Sequence, residues 1–469
     1  MHGTTEATIV DDLVARARTA QRAFEAGADQ ARYDMTALAA AWALMEPARN
    51  RELSELAVAT TGLGNVADKI AKNERKTLGL LRDIKGAATT GVIAEIPGRG
   101  LTEIARPLGV VGAVVPSTNP VATPTNMVVN ALKCGNAIIL SPSPKGAEAC
   151  ARLIGHMHAE MAKVGAGPDL VQMLPSPPTK ANSQRLMELV DRLFVTGSQD
   201  NVRRAYSSGT PAIGVGAGNA TVIVDETANL ADAARKIAQS KTFDNATSCS
   251  SENAVVVVDA VYDAFIRAME AAGGRMLDEA GVETVRRALF PDGKLNPTLL
   301  ARDIDVLIAG TGVTVEAPET ARFLAIPAGG VGPDHPESGE KLSLVLAVYR
   351  AADFAAAKRQ AAEILAYQGA GHSVGLHSAR DDRARELAHD LLVSRVIVNQ
   401  AHAMATGGSF DNGMPFSLSM GCGSWGGNSI DDNVHYRHFM NVTRIVRTIP
   451  ENRPTLDEIF GSYWERAGR

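Results

Sequence analysis

From Gly109 onward the chain alternates short apolar runs with longer amphipathic stretches, and this alternation narrows the fold more than any other feature. Residues 110–115, 137–140, 170–173 and 193–196 are too short for buried helices and are mostly apolar. The stretch 145–164 between them has the length and pattern of a helix. Strands buried on both faces read in this way, and parallel strands need helical crossovers to connect them. The expected class is therefore α/β, with helices on both faces of a parallel sheet. A second block of the same kind begins near Leu230. It holds strands at 254–258 and 396–399 and helices at 262–272 and 353–367. Each block has enough pattern for its own domain, and 469 residues fit two or three domains at roughly 100–200 residues each.

The segments around these blocks differ. Ile9, Leu13, Ala17, Ala20 and Phe24 recur at helical spacing, and Leu53, Leu56 and Ala57 continue in a second helix that Gly62 and Gly64 should stop. Residues 89–106 are rich in glycine and β-formers around Pro97, Gly98 and Gly100, which predicts a hairpin. Glycines cluster again at 407–427 and mark irregular backbone.

Lysine plus arginine number 47 against 52 acidic residues, so the net charge is -5 and no basic field points to nucleic acid or an anionic membrane. No apolar run approaches the ~20 residues of a membrane-spanning helix. The start of the chain lacks the basic and apolar regions of a signal peptide. The four cysteines, Cys134, Cys150, Cys249 and Cys422, form no CxxC pair, so neither a metal site nor a disulfide framework is expected. Such sparse usage fits a reducing cytoplasm, and the expected partners are small molecules.

Cys249 lies among small polar residues just before an apolar run, a loop setting in which a thiolate could meet a substrate. The alternative is an inert packing cysteine, the reading given to Cys134 and Cys150. Asn119 follows a strand on a turn, where an amide can donate to an oxyanion or merely bond its own backbone. Thr196, Gly197 and Ser198 end a strand and open a helix whose amides suit a pyrophosphate. Gly214, Gly216 and Gly218 precede a strand, not a helix, so they fail the context of a dinucleotide fingerprint and more simply let backbone pass close to a ligand, with Gly214 a candidate cofactor contact, or to a neighbouring strand. His372 stands in a loop between a helix and a strand, placed for proton transfer or for structure. His435, Arg437, His438 and Arg444 form a cationic tail segment, which is either solvated surface or an anion site.

Six segments, in order and spacing, resemble the aldehyde dehydrogenase superfamily. They are Pro116-Ser-Thr-Asn-Pro120, Ile139-Leu-Ser-Pro-Ser-Pro144, Pro211-Ala-Ile-Gly-Val-Gly-Ala-Gly-Asn219, Phe243-Asp-Asn-Ala-Thr-Ser-Cys-Ser-Ser-Glu252, Glu340-Lys-Leu-Ser343 and Gly421-Cys-Gly-Ser-Trp-Gly-Gly-Asn428. The resemblance runs from about residue 10 to 450 and is closest to the coenzyme-A-acylating branch. It implies a Rossmann-type NAD(P)-binding domain over 1–225, interrupted by the hairpin 89–106. A catalytic domain over 226–430 follows, then a C-terminal strand and tail over 431–469. The hairpin and that strand would form an arm joining a homodimer or homotetramer.

By the same resemblance, Cys249 is the nucleophile, Asn119 the oxyanion donor and Glu340 the partner of the nicotinamide ribose, while Ser198 faces the pyrophosphate. Hydrolytic relatives carry a glutamate that activates water where this chain has Gly214 or, one place on, Val215. Without that base the acyl-enzyme should pass to coenzyme A, a thiol that needs less activation. His372 would assist that half. NAD-preferring relatives place a lysine and a glutamate where Ser141 and Pro144 stand; losing the acid, with Ser143 or Lys145 at hand, implies that NADP⁺ is accepted. The chain looks similar to sulfoacetaldehyde dehydrogenases, and Arg437 and His438 are the expected contacts of the sulfonate. Acetaldehyde or another short aldehyde is the alternative substrate. A hydrolytic or phosphate-dependent dehydrogenase and a catalytically silent scaffold are the alternative activities.

Overall fold

The computed structural model describes residues 6–469. Four helices come first: Glu6–Glu25, Gln30–Met45, Pro47–Thr61 and Val66–Ile84. Their ends follow local chemistry. Glu46 accepts hydrogen bonds from the amides of Ala48 (3.1 Å) and Arg49 (2.9 Å), and Pro47 occupies the first turn, where its missing N–H costs nothing. Gly62, at φ 67°, ends that helix in the left-handed region, as its place in the sequence predicts.

Two parallel sheets follow. The first has five strands in the order Val171–Met173, Ala137–Pro142, Val110–Val115, Arg192–Val195 and Ala212–Gly214. The chain starts this sheet at its centre, builds outward to one side, then returns to the other. Such a reversal opens a crevice at the carboxyl ends of the central strands. The second sheet has seven strands in the order Gly274–Met276, Phe323–Pro327, Val345–Ala351, Glu252–Val258, Ala220–Val224, Val374–His377 and Val396–Val398. Each sheet has its own apolar core, one centred on Val111, Ile139 and Phe194, the other on Val255, Phe323 and Leu346.

The strand Ala220–Val224 pairs with Glu252–Val258 and Val374–His377, so the chain passes from one sheet to the other between Gly214 and Ala220. That is a few residues before the boundary at 225 expected from sequence. The cause is the run 214–218, whose glycines let the chain cross close to other backbone. The hairpin is present, Gly91–Ile96 with Leu101–Pro107, and Met440–Val446 adds to it antiparallel. No helix among the described residues is long and apolar enough to cross a membrane.

The layout places the site. Asn119, Thr196–Ser198 and Val215 all follow carboxyl ends of the first sheet. Gly218, Cys249 and His372 all precede amino ends of the second. The two sets of strand ends face one cavity.

Candidate active site

This cavity holds about 420 Å³ and is lined by Asn119, Thr196, Gly197, Ser198, Cys249 and Glu340, among others. Six residues scattered over more than two hundred positions thus meet at one place. His372 stands directly behind Cys249, with Nε2 3.4 Å from Sγ.

The loop carrying Cys249 is held in an uncommon backbone conformation. Asp244, Asn245 and Ala246 have φ of 48°, 52° and 62°, three consecutive non-glycine residues in the left-handed region. Such strain persists only where the surroundings over-determine it. Here Asp244 does so. Its buried carboxylate accepts from Lys69 (3.1 Å), from Lys72, from Thr247 Oγ1 (2.8 Å) and from the Asn65 amide (3.0 Å). Burial opposes its charge, but Lys72 and Lys69 outweigh burial and hold the carboxyl below the usual range. Gly64 is required beside it, because a Cβ there would lie 1.9 Å from Asp244 Oδ1.

Lys72 also fixes the Asn119 amide. Its Nζ donates to Asn119 Oδ1 at 2.9 Å, and an ammonium can only donate, so the amide oxygen must face Lys72. The NH₂ group is left with one long contact, to Thr118 Oγ1 at 3.4 Å. It is free to donate to an oxyanion. The backbone N–H of Cys249 makes no hydrogen bond among the described residues and is a second donor.

Cys249 remains partly accessible, while Cys134, Cys150 and Cys422 are buried. Burial pushes the Cys249 thiol up to about 12, and the Glu340 carboxyl and Cys422 act in the same direction, against a hydrogen bond from Ser250 and the charge of Arg395. The group rests as a thiol. Burial also drives His372 down to about 3, with Arg395 adding to the effect, so its imidazole is neutral. When the thiol donates to Nε2, the ring proton sits on Nδ1, which donates to Ser373 Oγ at 2.7 Å. Arg395 then fixes the backbone around the pair, donating to His372 O (3.2 Å) and Gly421 O (2.9 Å).

Gly218 shows why glycines cross here. A Cβ on it would lie 2.0 Å from Cys249 O. Gly214 is closed for another reason. Its N–H donates to Tyr206 Oη at 3.0 Å, and a Cβ would meet Val202 at 2.6 Å. Gly214 itself does not line the cavity, though Val215 and Gly216 do. No carboxylate can occupy this position without displacing the helix Gln199–Tyr206. The carboxyl on the wall is Glu340, pushed up to about 8 by burial against the pull of Lys241 and Lys341, and so protonated near neutrality.

Ser141 and Ser143 also lie off the cavity wall. Ser141 pairs with Ser183 at 2.9 Å, while Ser143 Oγ is buried without a partner. Arg437 and His438 are not brought to Cys249. Arg437 lines a separate groove with His435 and Phe416. His438 and His435 turn their Nε2 atoms to the two oxygens of Asp432, at 3.1 and 3.4 Å, which hold that carboxyl well below its usual range. Arg444 pairs with Glu103 across the arm at 2.9 Å. The tail residues expected to meet the anion are therefore not brought to the cavity that holds Cys249. The cations that do line the cavity are Lys72, Arg75 and Lys76, all on the helix Val66–Ile84. Their spacing reads as a solvated face, and sequence reasoning passed over them. The one available signal is that Lys69, Lys72 and Lys76 share a helical stripe with Thr77 and Leu80.

Comparison with known proteins bears on this geometry. A sequence profile of the aldehyde dehydrogenase family matches residues 2–278. The chain is 55% identical over 463 residues to a sulfoacetaldehyde dehydrogenase (acylating) of Cupriavidus necator, covering 99% of this chain and 94% of that protein. It is 37% identical to the succinate-semialdehyde dehydrogenase (acetylating) of Clostridium kluyveri, covering 96% and 99%. The crystal structure of an acetylating aldehyde dehydrogenase from Geobacillus thermoglucosidasius superposes with a TM-score of 0.91 at 32% identity, covering 96% and 98%. The shared fold, the matched segments and the thiol between the two sheets lead to one conclusion: the chain belongs to the aldehyde dehydrogenase family, in its acylating branch.

Proposed function

We propose that the protein oxidises sulfoacetaldehyde to sulfoacetyl-CoA with NAD(P)⁺ and coenzyme A, through a thioester on Cys249. The observation that carries the acylating half is the packing at Gly214, which leaves no room for a carboxylate where hydrolytic relatives hold their water-activating glutamate. The substrate reading rests on the Cupriavidus relative, and the Clostridium relative also acts, by its name, on an aldehyde with an anionic end.

His372 Nε2 takes the thiol proton as Sγ attacks the aldehyde carbon. The resulting oxyanion lies between the Asn119 NH₂ and the Cys249 N–H, a pair of donors fixed before the substrate arrives. When bound, the dinucleotide supplies the hydride acceptor that turns the hemithioacetal into a thioester. The thiol of coenzyme A then attacks the thioester carbon. His372, whose low pKa lets it release the first proton to solvent once the thioester has formed, accepts the proton of this thiol; the sulfur of coenzyme A takes the acyl group, and Cys249 leaves as thiolate and regains its proton from His372. The same steps reversed reduce an acyl-CoA.

The cavity suits the dinucleotide. Ser198 caps the helix Gln199–Tyr206, whose first amides open toward the cavity, and Gln199 Nε2 is buried without a partner. The protonated Glu340 carboxyl is placed for a sugar hydroxyl. Pro144 in place of an acidic residue and the exposed Lys145 just past the strand Ala137–Pro142 support acceptance of a 2′-phosphate. An efficiency more than ~100-fold higher with NAD⁺, about 2.7 kcal/mol, would remove that part of the reading. The three-stranded arm leaves Val92, Ile445 and Val446 exposed, which supports a homodimer or homotetramer.

The test follows reduced dinucleotide with sulfoacetaldehyde and with acetaldehyde, each with and without coenzyme A. Sulfoacetaldehyde is expected to be preferred, with sustained turnover only when the thiol is present. Release of free acid at full rate without coenzyme A would overturn the acylating mechanism.

A further inference from the structure

We propose that Lys76, with Arg75 beside it on the helix Val66–Ile84, holds the anionic end of the aldehyde. This assignment rests on the substrate reading above and names the residues that enforce it. Both side chains line the cavity that contains Cys249. Lys76 is 7% exposed and donates to Gly407 O (2.5 Å) and Ser417 O (3.1 Å), which leaves one of its three N–H donors without a protein partner. Arg75 donates through one terminal nitrogen to Met404 O and to Gly408 O (3.0 Å), and the rest of its fork has no partner among the described residues.

Charge separates this pair from its neighbours. Lys72 and Lys69, one and two turns earlier on the same helix, share the Asp244 carboxylate. Lys76 and Arg75 form no ion pair with any carboxylate among the described residues. Asp411 influences Arg75 from a distance but is bonded to Ser409. A buried cation bonded only to neutral carbonyls is poorly compensated, and an entering anion supplies the missing charge. A guanidinium fork beside an ammonium suits the several oxygens of a sulfonate or carboxylate. The Phe416 ring keeps both cations in place, 5.6 Å from each, and Gly79 makes room for it, since a Cβ there would lie 2.2 Å from the ring.

Sulfoacetaldehyde carries its sulfonate one carbon from the aldehyde, so the anion site must lie close to the nucleophile. Lys76 and Cys249 line the same cavity, and burial, with the charges of Arg75 and Lys72, pushes the Lys76 ammonium well below its usual range, so an entering anion would favour its charged form.

The experiment compares kcat/KM for sulfoacetaldehyde and acetaldehyde in the wild type, Lys76→Met, Lys76→Arg and Arg75→Gln. Binding of ethanesulfonate to each protein is measured by calorimetry alongside. In Lys76→Met the ratio of sulfoacetaldehyde to acetaldehyde efficiency should fall roughly 10–150-fold, the range for a hydrogen bond to a charged group, chiefly through KM. Lys76→Arg should keep most of the ratio, and ethanesulfonate should bind the wild type more tightly than Lys76→Met. A wild type without preference for sulfoacetaldehyde would sink the substrate reading itself. A wild type with that preference, but a Lys76→Met variant with an unaltered ratio and unaltered ethanesulfonate binding, would overturn only the assignment of Lys76. The melting temperature and dinucleotide binding of each variant identify one that has failed to fold, in which case Lys76→Arg and Arg75→Gln decide.

Discussion

Replacing Asn119 by Asp separates the hydrogen-bond role of this side chain from its size. Lys72 Nζ lies 2.9 Å from Asn119 Oδ1, and a carboxylate oxygen would accept that bond equally well, so the side chain should stay in place. The other oxygen would stand where the NH₂ group now offers its hydrogens to the oxyanion. Losing one such donor costs on the order of 10²–10³ in kcat, about 2.7–4 kcal/mol. A carboxylate facing a developing negative charge adds repulsion, which places Asn119→Asp at the upper end of that range. Lys72 retains Asp244 and Thr247, so the melting temperature should stay close to that of the wild type. The assay is steady-state dinucleotide reduction at saturating coenzyme A, with kcat and KM resolved separately and a thermal melt of the same preparation. A kcat within tenfold of the wild type, ~1.4 kcal/mol, would refute the oxyanion role. So would a loss confined to KM, which would mean that the amide binds substrate and transition state alike.

Cys249→Ala should abolish turnover and the acyl-enzyme mass adduct while dinucleotide binding persists; residual activity within about tenfold would exclude Cys249 as the nucleophile. With no ligand present, alkylation of Cys249 by iodoacetamide should quicken about tenfold per pH unit from 6 to 9, because burial holds its pKa near 12 and the thiolate fraction is still rising. A plateau below pH 8 would contradict that resting state. Asp244→Asn leaves Lys69 and Lys72 facing a neutral amide and should cost roughly 3–5 kcal/mol of stability, read as a lower melting temperature with slower turnover; an unchanged melt would show that the ion pairs do not hold the Cys249 loop. The exposed arm predicts a dimer or tetramer by sedimentation at micromolar concentration, and a monomer would remove its assigned role.

The sequence by itself determined the order of the elements and which residues are candidates to meet at one site. Period and run length place Val110–Val115, the helix Phe354–Tyr367 and the hairpin, because strand and helix pattern is local and written residue by residue. Cys249, Asn119 and Glu340, which the structure brings to one cavity, and His372 beside Cys249 stand out in the sequence by loop position and family segments, and Gly214 or Val215 stands where hydrolytic relatives carry a glutamate. Tertiary structure decided what those groups stand beside. The boundary between the sheets moved ahead of 225 because pairing partners of Ala220–Val224 lie far away in the chain, at Glu252–Val258 and Val374–His377. The cations that meet the cavity lie on the helix Val66–Ile84 and not in the tail for the same physical reason. A lysine on an amphipathic helix looks alike whether its face meets water or a cavity, and burial is a property of the opposing surface. His435 and His438 are taken up by Asp432, whereas Lys76 is enclosed by the carbonyls of Gly407 and Ser417, more than three hundred residues away. Charge can be counted from composition, but whether it has a counter-charge is settled only when the chain has folded.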